Sequence, residues 1–237
     1  MQFDIRSNVV EVSRWLDDVQ RKQLPFATVL AMTMTAKDIR AEEISVMKRV
    51  FDRPTPYTLN ALAVKPAKKS TMVASVEFKE GFSGTPAKRF LNPNVNGGPR
   101  SQRSSELQIA PLLKGYSYLV PASGYPLNAY GNVPGSQMRR VISQLKVSRN
   151  ADANASQSAR SKRKRRAQAF FVNPAGNMVM ERRGKEVRPV LIGVRVPNYT
   201  KRFPFYETAR TVLADRMAIN FEIAFQRAMA SARPPRG

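Results

Sequence analysis

The chain has 237 residues, with 40 Lys and Arg against 17 Asp and Glu, a formal net charge of +23, and neither cysteine nor histidine. The missing cysteines exclude a disulfide and a thiolate metal site; the missing histidines remove the commonest metal ligand and the commonest general base near neutral pH. So large an excess of cations repels itself, which points to a polyanionic partner, either nucleic acid or an acidic protein surface in an assembly, as against a merely soluble basic protein.

A chain of this length can bury a core without covalent staples. No run of about 18 apolar residues is present, so no membrane span is expected. Met1–Ile5 lacks the basic leader and apolar stretch of a signal peptide.

Met1–Arg6 alternates as a short strand. Val9, Val12, Leu16 and Val19 then mark an amphipathic helix, with Trp15 beside the stripe, that ends near Gln23. The dominant element is a helix over Pro25–Phe51. Val29, Met32, Ala36, Ile39, Glu43, Val46 and Val50 recur at spacings of three and four, which lays them along one face. Pro25 suits a first turn, where a missing N–H costs nothing, and either kinks the preceding helix into this one or separates the two. Asp52-Arg53-Pro54-Thr55-Pro56 ends the helix, because each proline disfavours the α conformation in the residue before it. Glu43 alone interrupts the apolar face; an unpaired carboxylate in a core costs several kcal/mol, so it is expected at a polar interface or beside a basic group.

Tyr57–Val64 reads equally as a helical turn or a strand. Met72–Phe78 is a clearer strand, with Met72, Ala74, Val76 and Phe78 facing the core. From Gly81 to Gly135 glycine and proline are dense and periodicity is lost. The segment is too rich in aromatics for disorder, and it reads as an ordered, irregular assembly loop with one short helix around Ser105–Leu113. Phe82, Phe90, Tyr116, Tyr118, Tyr125 and Tyr130 are its candidate subunit contacts. Ser136 is placed to cap a helix through Met138, Val141, Ile142 and Leu145.

Residues 149–166 read as a flexible tip that ends in a basic run. Arg160, Lys162, Arg163, Lys164, Arg165 and Arg166 make six of its last seven residues cationic. Phosphate contact, contact with an acidic subunit, and a solvated loop without a partner compete for this run. Arginine outnumbers lysine, which suits bidentate pairing with phosphate or carboxylate. A hairpin follows, Ala169–Val172 and Met178–Arg182 around Asn173–Asn177, then a strand over Val187–Val196. Glu207–Ala230 closes the pattern as a helix that buries Ala209, Leu213, Met217, Phe221, Ala224, Phe225 and Ala228.

The glycines at 97, 98, 131 and 135 lack the strand–loop–helix frame of a phosphate loop and read as turn residues. Asp17-Asp18 and Glu42-Glu43 are adjacent on helices, so each pair diverges and neither forms an acid–base dyad. No catalytic constellation, cofactor motif or metal site is found. The expected fold is a single α+β domain over 1–237: long N-terminal and C-terminal helices packed on a small, mainly antiparallel sheet with a long irregular insertion.

Three stretches carry a resemblance. They are Arg89-Phe90-Leu91-Asn92-Pro93 with Gly97-Gly98-Pro99-Arg100; Leu127-Asn128-Ala129-Tyr130-Gly131-Asn132 with Gln137–Leu145; and Arg188-Pro189-Val190-Leu191 with Pro197-Asn198-Tyr199 and Phe203. Together they resemble a family of tailed-bacteriophage virion proteins encoded among head–tail genes. The layout is similar to the minor tail protein Z family of tail completion proteins. The likeness covers roughly residues 25 to 230. It implies a non-enzymatic virion protein that completes or connects the tail at the head–tail interface, in a homo-oligomeric ring of six-fold or twelve-fold symmetry. The implied partners are neighbouring connector and tail proteins, with a possible DNA contact, and assembly in the host cytoplasm. No functional residue carries over. The alternative is a nucleic-acid-binding structural protein of ribosomal or nucleoid type.

Overall fold

A computed structural model describes residue 17 and residues 19–80 and 86–231. The expected strand at Met1–Arg6, residues 9–16 of the helix expected to end near Gln23, with Trp15, and Phe82 lie outside the described residues. The protein is α+β, as expected, and every strand pairing among the described residues is antiparallel. Where one domain is expected from the sequence, the chain divides into two compact units. Of the described residues, one unit combines those up to 50 with 56–80 and 203–231; the other combines 51–55 and 86–202.

The first unit is built on two 27-residue helices, α1 (Leu24–Val50) and α7 (Phe205–Ser231). At about 1.5 Å per residue each is about 40 Å long. A π-helical turn, Val19–Gln23, runs directly into α1, so Pro25 neither separates two helices nor opens a fresh one. Such a turn is a common way to accommodate a break in the i to i−4 ladder.

The helices meet through small side chains. Ala27 and Ala31 on α1 and Ala224 and Ala228 on α7 are fully buried, each pair one turn apart, with Leu30, Phe221 and Phe225 packed around them. Toward the C-terminal part of α1 the seam turns polar. The Asn220 amide donates to Thr35 Oγ1 (3.1 Å) and Asp38 Oδ2 (2.8 Å). The expected α1 stripe is therefore rotated in its first half, where Ala27, Ala31 and Thr35 replace Val29 and Met32 as the buried positions; Ala36 and Val46 are buried as expected. On α7, Leu213 is 48% exposed rather than buried, and Asn220 takes a core position.

The ambiguous Tyr57–Val64 segment is both things in turn: α2 (Pro56–Leu59), then β1 (Leu62–Lys65). β1 pairs with β2 (Ser75–Phe78), the last four residues of the expected Met72–Phe78 strand. Arg40 Nε donates to the Leu62 carbonyl at 3.0 Å, and the Ala67 N–H donates to Thr33 Oγ1 at 3.1 Å, which tie this ribbon to α1.

The second unit holds α3 (Ala87–Asn96), β3 (Gly98–Pro99), α4 (Ser104–Ile109), β4 (Tyr118–Pro121), α5 (Gly135–Gln144), α6 (Ala159–Ala167), β5 (Ala169–Val172), β6 (Met178–Arg183), β7 (Glu186–Val194) and β8 (Asn198–Tyr199). Four strands form one sheet in the order β4-β7-β6-β5. The strands expected at Met72–Phe78 and Val187–Val196 thus belong to separate sheets. Pro189 lies in β7 opposite Met180, where the β6–β7 register shifts by a bulge; a residue without an N–H cannot complete a ladder. Gly193 is needed for close approach: a Cβ there would sit 2.8 Å from Tyr116 Cβ and 3.0 Å from the Asn177 carbonyl oxygen.

Much of residues 86–135 is therefore folded structure rather than an irregular loop. Its β4 closes the sheet, and Ile109, Leu113, Leu119 and Tyr125 join Val141, Phe170, Val179, Val190 and Leu191 in one core. The helix expected near Ser105–Leu113 is α4, continued by a 3-10 turn over Ala110–Leu112. Ser136 is not a cap: α5 starts one residue earlier, and Pro134 stands at the capping position with no side-chain hydrogen bond.

Candidate anion-binding surface

Within the tip expected over residues 149–166, the basic run is helical. α6 contains Arg160, Lys162, Arg163, Lys164, Arg165 and Arg166 and no acidic residue. Ser158 caps it, its hydroxyl accepting from the Ser161 N–H at 3.3 Å, which satisfies one of the orphan donors of the first turn. At the other end the Gln168 N–H donates to the Lys164 carbonyl at 3.1 Å. Cations in the last turn suit the negative end of the helix dipole. Arg160, Lys162, Arg163, Lys164 and Arg166 are exposed, and Arg165 is half-buried.

The helical period divides these cations between two faces. Arg160, Lys164 and Arg165 line a cleft of about 900 Å³ that α6 forms with α5; Lys162, Arg163 and Arg166 do not line it. From α5 the cleft receives Arg139 and Arg140. Five cations and no carboxylate therefore face this space, together with serine, glutamine and asparagine side chains. Arg139 and Arg140 are adjacent in the sequence, a dibasic signal that stands out only once α5 is known to lie beside α6.

Hydrogen bonds hold the walls together. The Ser143 hydroxyl donates to the Ala153 carbonyl (2.6 Å), the Ala155 N–H to the Ser143 carbonyl (2.9 Å), and the Ser148 N–H to Asn154 Oδ1 (2.9 Å). These bonds fasten the α5–α6 connection to the end of α5. Gln168 anchors the other side. Its side-chain oxygen accepts from Arg140 Nη1 at 2.6 Å, its carbonyl accepts from the Gln144 amide at 3.0 Å, and its amide donates to Glu181.

Glu181 is fully buried on β6. Arg183 Nε and Arg188 Nε each donate to it at 2.7 Å. Burial alone raises its pKa, but the hydrogen bonds from Arg183, Arg188 and Gln168 outweigh that and hold the carboxyl below the usual range. Glu106 is handled the same way. Arg100 grips it bidentately (2.7 and 2.5 Å), and the Arg103 and Leu119 N–H groups donate to it at 2.6 and 3.0 Å. These bonds likewise overcome the upward push of burial, and its pKa is lowered.

Glu43 differs. It is fully buried where the helical spacing puts it, yet neither carboxyl oxygen has a hydrogen-bond partner. The expected basic or polar neighbour is missing. Burial pushes its pKa up to about 8, with the carboxylates of Glu42 and Glu207 adding to the shift. Buried and without a partner, Glu43 contradicts the register expected for this face of α1; so raised, the carboxyl keeps its proton near neutral pH, and no ion is stranded in the core.

The candidate subunit-contact aromatics are not gathered on one surface. Tyr118 and Tyr125 are buried, Tyr118 donating to the Arg100 carbonyl at 3.0 Å. Phe90 and Tyr116 are half-buried, Tyr116 against the core, and Tyr130 is 41% exposed. The stretches that carry the family resemblance do meet in part: Gly98 pairs with Tyr199 and Pro99 with Asn198. Among the described residues no three metal-ligating side chains converge, and no helix is long and apolar enough to cross a membrane. In comparisons with protein-family models, curated proteins and solved structures, none matches the chain.

Proposed function

We propose that this protein is a non-enzymatic structural component of a bacteriophage virion, one that completes or connects the tail at the head–tail interface within a symmetric ring, and that it engages a polyanionic neighbour through its basic surface. The observation that carries the polyanion part is α6: six cations in nine residues, none answered by an acid on the same helix, beside a cleft without a carboxylate. Held this close, like charges repel unless water or an anion relieves them. The virion setting rests on the resemblance of the three stretches. Exposed apolar side chains on α7, Tyr206, Leu213 and Ile219, offer surface for a neighbouring subunit to cover.

Tagging the protein and locating the tag in purified particles by electron microscopy tests this reading. A ring of density at the head–tail junction is expected, and particles without the tag contradict it. The second reading, a cellular nucleic-acid-binding structural protein, is favoured by the cleft itself, and it predicts tag with cellular nucleic acid and none in particles.

A further inference from the structure

We infer that the cleft between α5 and α6 binds the sugar–phosphate backbone of duplex nucleic acid. This narrows the polyanion of the proposed function to one class and gives it a site. Three observations carry it. First, the cleft gathers Arg139, Arg140, Arg160, Lys164 and Arg165 from two helices without one carboxylate. Elsewhere in the same unit the protein answers its buried acids with arginines, at Glu106 and Glu181. Among the described residues, Arg139, Arg160 and Lys164 have no such ion pair and are exposed. They remain available to an outside anion.

Second, the rest of the lining is what contacts phosphate and sugar. Serine hydroxyls and the amides of Gln108, Gln144 and Asn154 stand among the cations. Arg, Lys, Ser, Asn and Gln side chains are the usual donors to a nucleic-acid backbone. Third, no aromatic side chain lines the cleft; its apolar side chains are Ile142 and three alanines. Proteins that hold single strands stack bases on aromatic rings, and no ring is provided here. What is left is a site that reads charge spacing, and duplex supplies that at about one phosphate per 1.7 Å of axis. The hydrogen bonds of Ser143, Asn154 and Gln168 tie together the walls from which the cations project.

The test uses the full-length protein and a random-sequence DNA duplex, titrated over a range of salt. Five cations that each meet one phosphate give a log–log slope of about −4.5. The variant R139Q/R160Q/K164Q removes three exposed cleft cations and should flatten that slope by about 2.7. The matched variant K162Q/R163Q/R166Q removes the same charge from the other face of α6 and should flatten it by less than about 1. Equal losses from both variants mean attraction to bulk charge; that overturns the cleft site but leaves the polyanion reading standing. A cleft variant that binds like the parent overturns it as well. A competition with the unaltered protein needs no variant: duplex should displace single-stranded DNA of equal phosphate content and poly-glutamate. If single strands or poly-glutamate win, the duplex assignment fails, whatever the tagged particles show.

Discussion

The two units treat a buried carboxyl in opposite ways. In the first, Glu43 lies on the buried face of α1 with no partner, and desolvation raises its pKa to about 8. In the second, Glu106 and Glu181 are as deeply buried, but arginines and N–H groups donate to both, and both pKa values fall. The difference is one of where the nearby cations are used. Arg100, Arg183 and Arg188, two to seven residues away in the chain, donate to Glu106 and Glu181. Arg40 and Arg49 lie as near to Glu43, but they donate to the Leu62 carbonyl and to Glu42, and the electrostatic neighbours of Glu43 are carboxylates. A large arginine excess therefore does not neutralise every acid; local geometry decides which cations are spent on the protein's own carboxylates and which stay free at the cleft.

The largest expected effect breaks this contrast through pH. Glu43 binds its proton more tightly in the folded state than in the unfolded one. Its contribution to stability is fully present below the ordinary value of 4.5 and is lost as pH rises through about 8. At about 1.4 kcal/mol per pKa unit the loss reaches about 5 kcal/mol at most. Urea unfolding of the parent at several pH values in that window should show the decline, and Glu43→Gln should remove it. Glu106 and Glu181 act with the opposite sign: their contribution is present above the ordinary carboxylate range and is lost as pH falls through their lowered values. Acid should therefore weaken the second unit in conditions that favour the first.

Next in size is Arg100→Ala, which strands Glu106 in the core. A cost of about 3–5 kcal/mol is expected, since breaking one side of a buried pair leaves an uncompensated charge. The loss should shrink at low pH, where Glu106 can take up a proton. An undiminished loss would mean that Arg100 acts through packing on Tyr118, over whose ring its guanidinium lies at 4.9 Å.

How much of this was legible in the sequence depends on the range of the contacts. α1, α7 and the β5–β6 hairpin are repeated short-range patterns, and their periods mark them. Residues 86–135 are not periodic because their elements are short and closed by distant pairings, such as Tyr118 with Val194. They therefore read as a loop, and their buried tyrosines as surface. The basic run was visible as charge, but its helical form rests on the Ser158 cap and on Gln168, and polar composition hides both. Arg139 and Arg140 join it only through tertiary packing. The small-residue seam of α1 escaped because alanine marks a helix without marking which face is buried.

Glu181→Gln keeps the shape but removes the charge that Arg183 and Arg188 share. A loss of about 1–3 kcal/mol is expected, read by thermal unfolding. Because Gln168 links Glu181 to Arg140, the same variant should also loosen the cleft and weaken duplex binding; unchanged binding would separate the two. The smallest effect is Ser158→Ala. It removes the cap of α6 at a cost of about 1 kcal/mol. Amide exchange should quicken in the first turn of α6 and not in α5; equal quickening in both would show that the cap holds more than its own helix.

The most direct measurement of the central claim is arginine footprinting. The protein, alone and with duplex DNA, is treated with an arginine-selective dicarbonyl reagent, and modification is read residue by residue by mass spectrometry. The account predicts that duplex protects Arg139 and Arg160 strongly while Arg163 and Arg166, on the other face of α6, stay nearly as reactive as in the free protein. Protection of Arg163 and Arg166 with Arg139 and Arg160 left reactive would contradict it.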